Sequence, residues 1–201
     1  MTVNRTVRIT GTEMKETINQ FEQELRSNGT RKAVRSLISE AFLIWMDTLE
    51  QASTENDEPC RVSVTRTECS FDRDTVIRIT VGMGEMLSIR DAFLISAIVD
   101  EQRASREFLM DFAERPKHPG NAQRLEQLLS DAFRDQSARP DLKRCDQAVN
   151  MLFDIIDMIP KPYRAQPFAV ISYIMWWMGQ EGAIAAAISA LAIDDQCSLA
   201  A

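Results

Sequence analysis

Apolar positions recur at spacings of three and four along most of this chain, and each run stops at a glycine, a proline or a polar cluster. That period gathers apolar side chains into one stripe of a helix. Thr10-Gly-Thr-Glu13 has the form of a capping box, with Thr12 as the other candidate cap. Behind it Met14, Ile18, Phe21 and Leu25 predict a helix over 12–27, ending at Asn28-Gly29. Thr30 opens a second helix over 30–52, with Val34, Leu37, Ile38, Ala41, Phe42, Trp45 and Leu49 on its stripe. Leu87, Ile89, Ala92, Phe93, Ile95, Ala97 and Ile98 mark a buried helix over 85–100, continuing or restarting through Phe108, Leu109 and Phe112. Leu125, Leu128, Leu129, Ala132 and Phe133 define another helix, and Leu142, Cys145, Ala148, Val149, Leu152, Ile155 and Ile156 a further one. The stretches from Ser53 to Pro59, Arg115 to Gly120 and Ser137 to Pro140 read as breaks.

Residues 60–83 are ambiguous by pattern alone. Arg61–Thr67 alternates with period two and Thr75–Val81 is β-branched, so the two runs are able to pair as a hairpin. Phe71-Asp72-Arg73-Asp74 can equally cap a helix that buries Val76, Ile79 and Met83. A lone hairpin in a helical domain needs something to pack on, and the helical reading of 73–83 is preferred.

After the prolines at 160, 162 and 167, two apolar runs, Phe168–Met178 and Ala183–Ile193, are split by Gly179-Gln-Glu-Gly182 and closed by Asp194-Asp195. Each run is short of the about 20 apolar residues that span a bilayer. A helical hairpin with a thin alanine face, packed by Phe168, Tyr173, Trp176 and Trp177, accounts for the pattern. It is similar to one tetratricopeptide unit, although no second copy occurs at a fixed period. One such unit cannot bury its own face, so the hairpin is expected to cap the helices before it.

Two stretches resemble the bacterial family catalogued as domain of unknown function 4192. One is Leu87-Ser-Ile-Arg-Asp-Ala-Phe-Leu94. The other is the C-terminal run that carries Pro167, Trp177, Gly179, Gly182, Ala190, Leu191, Asp194, Leu199 and Ala200. The resemblance covers residues 85–201 and, more loosely, 30–84; the family's Asp-Pro after the last helix is Asp194-Asp195 here. The family has no established activity, so the resemblance implies an all-helical fold, including a helix over 73–83, and no reaction.

With 201 residues the chain is read as one domain, 1–201, large enough to bury a core without staples. Only 7 glycines and 7 prolines disfavour a many-turned β fold. The net charge of −7 disfavours a duplex nucleic-acid binder, which needs cations to displace counterions. Met1-Thr-Val-Asn-Arg lacks the apolar stretch of a signal peptide. Cys60, Cys69, Cys145 and Cys197 contain no Cys-x-x-Cys pair and are read as reduced thiols of a cytoplasmic protein, the alternative being a Cys60–Cys69 disulfide.

No catalytic, cofactor-binding or metal-binding constellation stands out. His118, the single histidine, lies in a Pro/Gly loop without a matched nucleophile and is read as solvated. Asp194-Asp195 and Asp154 with Asp157 are the nearest approaches to a metal site and fit helix-end and polar-face roles better. Gly82-Met-Gly84 lacks the rest of a phosphate loop. Glu181 is expected to face solvent at the bend. Arg90 and Asp91 can face a cleft together with Glu85, but adjacent positions lie about 100° apart on a helix, and the preferred reading is that one of them is a buried, paired charge that fixes helix register. Burial of both Trp176 and Trp177 is expected, and an exposed one beside Tyr173 would be a partner anchor.

The fold expected is therefore all-α, one bundle of seven to nine helices ending in the tetratricopeptide-like hairpin. Arg90, Asp91, Trp177, Gly179, Glu181, Gly182 and Asp194 stand out as motif residues without an assigned role. The preferred function is a helical interaction or adaptor module whose partner is another protein or a second copy of itself, with no cofactor and no membrane span. Its ten methionines suit adaptable surfaces. The rival is an enzyme with a carboxylate/arginine pocket built from Glu85, Arg90, Asp91 and Glu181. A weaker alternative is nucleic-acid contact through the basic turn Arg31, Lys32 and Arg35.

Overall fold

Thr10 starts the first helix by satisfying the orphan donors of its opening turn. Its hydroxyl accepts from the Glu13 N–H at 3.3 Å, while the Glu13 carboxylate accepts from the Thr10 N–H at 2.8 Å, so the capping box forms as the sequence predicts. The helix it opens, α1 (Gly11–Asn28), ends where Gly29 takes a φ of 77°.

The computed structural model describes residues 8–54, 71–134 and 141–201. Among these the chain forms nine α-helices and no strand. After α1 come α2 (Thr30–Thr54), α3 (Arg73–Glu85), α4 (Leu87–Ile98), α5 (Arg106–Glu114), α6 (Pro119–Arg134), α7 (Leu142–Met158), α8 (Ala165–Trp177) and α9 (Gly182–Leu191). The all-α expectation holds. The period-two run Arg61–Thr67, the Cys60–Cys69 pairing and the break at Ser137–Pro140 lie outside the described residues.

The β-branched run Thr75–Val81 is helical. Asp72 caps α3 by accepting from the Thr75 N–H at 2.7 Å. Every residue from Thr75 to Met83 except Arg78 is buried, which explains why no amphipathic period showed there: a helix enclosed on all sides is apolar all round. Phe108 restarts a separate helix, with Ser105 as its cap. The prolines after α7 form a short 3₁₀ turn at Lys161–Tyr163, and Pro167 falls in the first turn of α8, where its missing N–H costs no helical bond.

Helix α2 lies at the centre and packs on α1, α3, α4, α5 and α7. Its Phe42 and Trp45 meet Phe93 of α4 edge-on, at centroid distances of 5.1 and 5.3 Å, and Phe71 stacks on Trp45 at 6.4 Å. Each such enclosed side chain contributes about 1.5–3 kcal/mol of burial, so this aromatic cluster anchors the bundle. Just ahead of α1, the Ile9 N–H donates to the carbonyl of Met158 at the end of α7.

Arg144 and Glu114 are buried within this apolar frame. Arg144 of α7 is 1% exposed. It donates from Nε to the Ser96 carbonyl at 2.7 Å and pairs with Glu50 of α2. The Trp45 indole N–H donates to the Ser96 hydroxyl at 2.9 Å, closing a polar network between α2, α4 and α7. Glu114, at the end of α5, has no exposed side-chain surface and accepts from Arg31 at 3.0 Å and Arg35 at 2.7 Å.

Candidate interaction surface

The C-terminal helices form the hairpin that the sequence outlines, and they pack on each other more extensively than any other pair of helices. The joint turns because Gly179 takes a φ of 68°, a conformation that side chains disfavour. Gly182 then lets α9 start against Met175: a Cβ there would lie 3.1 Å from its sulfur and its terminal methyl. The Ser172 hydroxyl donates to the Ala183 carbonyl at 2.9 Å and pins the two helices together beside the turn. Only Ala183, Ala186 and Ala190 of α9 are buried. The thin alanine face lies inward, as its small residues allow.

The opposite face is unusual. Ile184 is 72% exposed and Ile188 is 62% exposed. Four residues apart, they share one face, and Ala185 and Ala192 beside them are also exposed. Glu181 is exposed at the start of α9, three residues before Ile184, and Asp195 is exposed just past its end. Single exposed apolar residues are ordinary on a folded surface; here two large ones stand one turn apart. At the end of α8, Trp176 is 56% exposed and Trp177 is half-buried. This corrects the expectation that both are buried: adjacent residues point about 100° apart, and the core takes only Trp177. Tyr173 packs against both rings, at 5.7 and 6.3 Å between centroids.

Arg90 is buried and donates twice to one oxygen of Asp91, at 2.9 and 2.8 Å, and once to the Gln166 side chain at 3.3 Å. Arg90 thereby ties α4 to the first turn of α8. Glu85 is raised from its ordinary pKa, first by burial of its carboxyl and then by the neighbouring Glu22 charge. No hydrogen bond or ion pair joins Glu85 or Glu181 to Arg90 and Asp91. Asp194 accepts from the Gln196 N–H at 3.0 Å, closing the turn after α9.

Of the basic turn, Arg31 and Arg35 bind Glu114, and Lys32 is exposed. His118 is exposed ahead of α6, where its carbonyl accepts from the Asn121 N–H. Cys145 and Cys197 are buried free thiols, and burial first, then the nearby Asp141 and Asp146 charges, push the Cys145 thiol up to about 12. No group of three or more His, Cys, Asp or Glu among the described residues is placed to hold a metal ion. A cavity of about 60 Å³ lies between α1, α2 and α3, lined by Phe21, Ser36, Asp74 and Arg78 among others. Its guanidinium, Arg78, is already taken by Asp74 and by the carbonyls of Ser36 and Leu37. No helix among the described residues is long and apolar enough to cross a membrane.

Compared with protein-family models, curated proteins and solved structures, the chain matches none of them.

Proposed function

We propose that this chain is a helical protein-interaction module that acts as an adaptor, docking a protein on the outer face of α9. The observation that carries this reading is the pair Ile184 and Ile188, 72% and 62% exposed on one helix face. Each isoleucine that a partner encloses contributes about 1.5–3 kcal/mol. The exposed Trp176 ring supplies an aromatic anchor of the kind that concentrates binding energy. The hairpin beneath is tied by the Ser172–Ala183 bond and the close Met175–Gly182 approach, which favours association by leaving less to order.

On this reading the hairpin is tetratricopeptide-like, its Gly179-x-x-Gly182 joint and alanine face supporting the comparison. Residues 85–201 are related to domain of unknown function 4192 through the motif residues around Trp177, Gly179, Gly182 and Asp194. The cytoplasm is the compartment that suits two buried reduced thiols.

Affinity capture of the tagged full chain from its native host's lysate, after nuclease treatment, tests the reading. The wild type and a Leu142→Glu control, altered at an exposed apolar residue of α7, are expected to retain one stoichiometric partner that Ile184→Glu/Ile188→Glu loses. Equal recovery by all three proteins, or recovery of no partner, overturns it.

A further inference from the structure

The charges around α9 identify the chemistry of what covers it. From Ala165 to Ala201 the sequence contains no lysine, arginine or histidine, and its only charged side chains are Glu181, Asp194 and Asp195. Glu181 stands at the N-terminal end of the apolar face and the two aspartates follow its C-terminal end. Among the described residues the side chains of Asp194 and Asp195 accept only from Gln196, and no ion pair involves Glu181, Asp194 or Asp195. The ten-residue helix between them is about 15 Å long.

A second copy of α9 does not match this surface. Laid parallel, two copies place Glu181 on Glu181 and aspartate on aspartate. Laid antiparallel, they place Glu181 on Asp194 and Asp195. Either arrangement brings like charges together across the seam, which specific interfaces avoid. An anionic lipid surface is opposed by the same three carboxylates.

We propose that the outer face of α9 binds a basic amphipathic helix of another protein. That helix carries an apolar stripe about three turns long to cover Ile184 and Ile188, with lysine or arginine at each end to meet Glu181 and the Asp194-Asp195 pair. This rests on the interaction-module reading and adds the partner's chemistry to it.

The test uses the full chain and two synthetic helical peptides of about 16 residues. They share one leucine stripe; one carries lysine at both ends and the other glutamate at the same places. Calorimetry is expected to show one-to-one binding of the lysine peptide, about tenfold or more tighter than the glutamate peptide and weaker at high salt. Ile188→Glu is expected to weaken it about tenfold, although the added negative charge would strengthen a merely electrostatic contact. Glu181→Gln/Asp194→Asn/Asp195→Asn is expected to abolish the preference between the two peptides.

Equal affinity for both peptides, or lysine-peptide binding that Ile188→Glu leaves intact, overturns the proposal. So does a dimer of the wild type that Ile188→Glu disperses, or binding to anionic vesicles that it abolishes. If a captured partner is lost with the isoleucines while the peptides are not distinguished, only the partner chemistry fails. If no partner depends on the isoleucines, the interaction-module reading fails with it.

Discussion

Arg144 of α7 donates from Nε to the backbone carbonyl of Ser96 of α4 at 2.7 Å, so a charged side chain that is 1% exposed closes the last turn of a neighbouring apolar helix. The same guanidinium pairs with Glu50, whose side chain is 38% exposed. Breaking such a pair from one side leaves an uncompensated buried charge, whereas replacing both partners with apolar groups need not. Glu50→Leu is therefore expected to cost about 3–5 kcal/mol, and Arg144→Met/Glu50→Leu is expected to cost less than that single change. Urea denaturation of the two variants checks the order.

Glu114 reverses the asymmetry. Its carboxylate has no exposed side-chain surface, while Arg31 and Arg35 are 63% and 60% exposed. Removing the carboxylate frees two cations into water, but removing both cations strands a buried anion. Arg31→Ala/Arg35→Ala is expected to cost about 3–5 kcal/mol, against about 1–3 kcal/mol for Glu114→Gln. Chemical denaturation of both variants measures the difference, and equal losses would contradict it.

Gly82 and Gly84 should respond to alanine with opposite signs. Alanine in an exposed helix interior usually gains up to about 1 kcal/mol over glycine, and at Gly84 nothing lies within 4 Å of the added carbon. At Gly82 it would meet Ile89 Cγ2 at 2.9 Å and Ile38 Cγ2 at 3.0 Å, where α2, α3 and α4 converge. Gly84→Ala is expected to raise the melting temperature. Gly82→Ala is expected to lower stability by about 1–3 kcal/mol through overpacking.

The capping box makes the start of α1 acid-sensitive. The Thr10 backbone N–H, then the Arg73 guanidinium and the Thr10 hydroxyl, hold the Glu13 carboxyl at about 2, below its ordinary 4.5. A carboxyl depressed by folding stabilises the folded state above the unfolded value and loses that contribution as pH falls through the folded one. The contribution is thus complete above about 4.5 and fades toward about 2. Glu13→Gln is expected to flatten the fall in stability across this window and to leave the pH dependence from 6 to 8 unchanged, as followed by helical circular dichroism; identical slopes for both proteins would contradict it.

Much of the fold was legible because its signals are local. The Thr10 cap, the stop at Gly29 and the stripes of α1, α2 and α7 each occupy a few neighbouring residues. Helix α3 was harder, since β-branched residues buried on every side give neither a helical nor a strand period; its Asp72 cap was the better clue. The buried charges Glu114 and Arg144 were not read. Glu114 meets residues 79 and 83 positions away, and Arg144 meets Ser96 across 48, so no local pattern announces either contact. Arg144 did leave a trace: it lies four residues before Ala148 and eight before Leu152, on the apolar stripe of α7. The exposed face of α9 was hidden differently. The apolar run shows no polar face that would mark solvent, yet only Ala183, Ala186 and Ala190 of α9 are buried.

Site-specific photo-crosslinking in the native host tests the interaction face most directly. A photoreactive residue at position 184 or 188 is expected to give one discrete adduct with another protein, and the same residue at exposed Lys15 of α1 none. No adduct from α9, or the same adducts from both helices, would contradict the claim that this face is where the chain works.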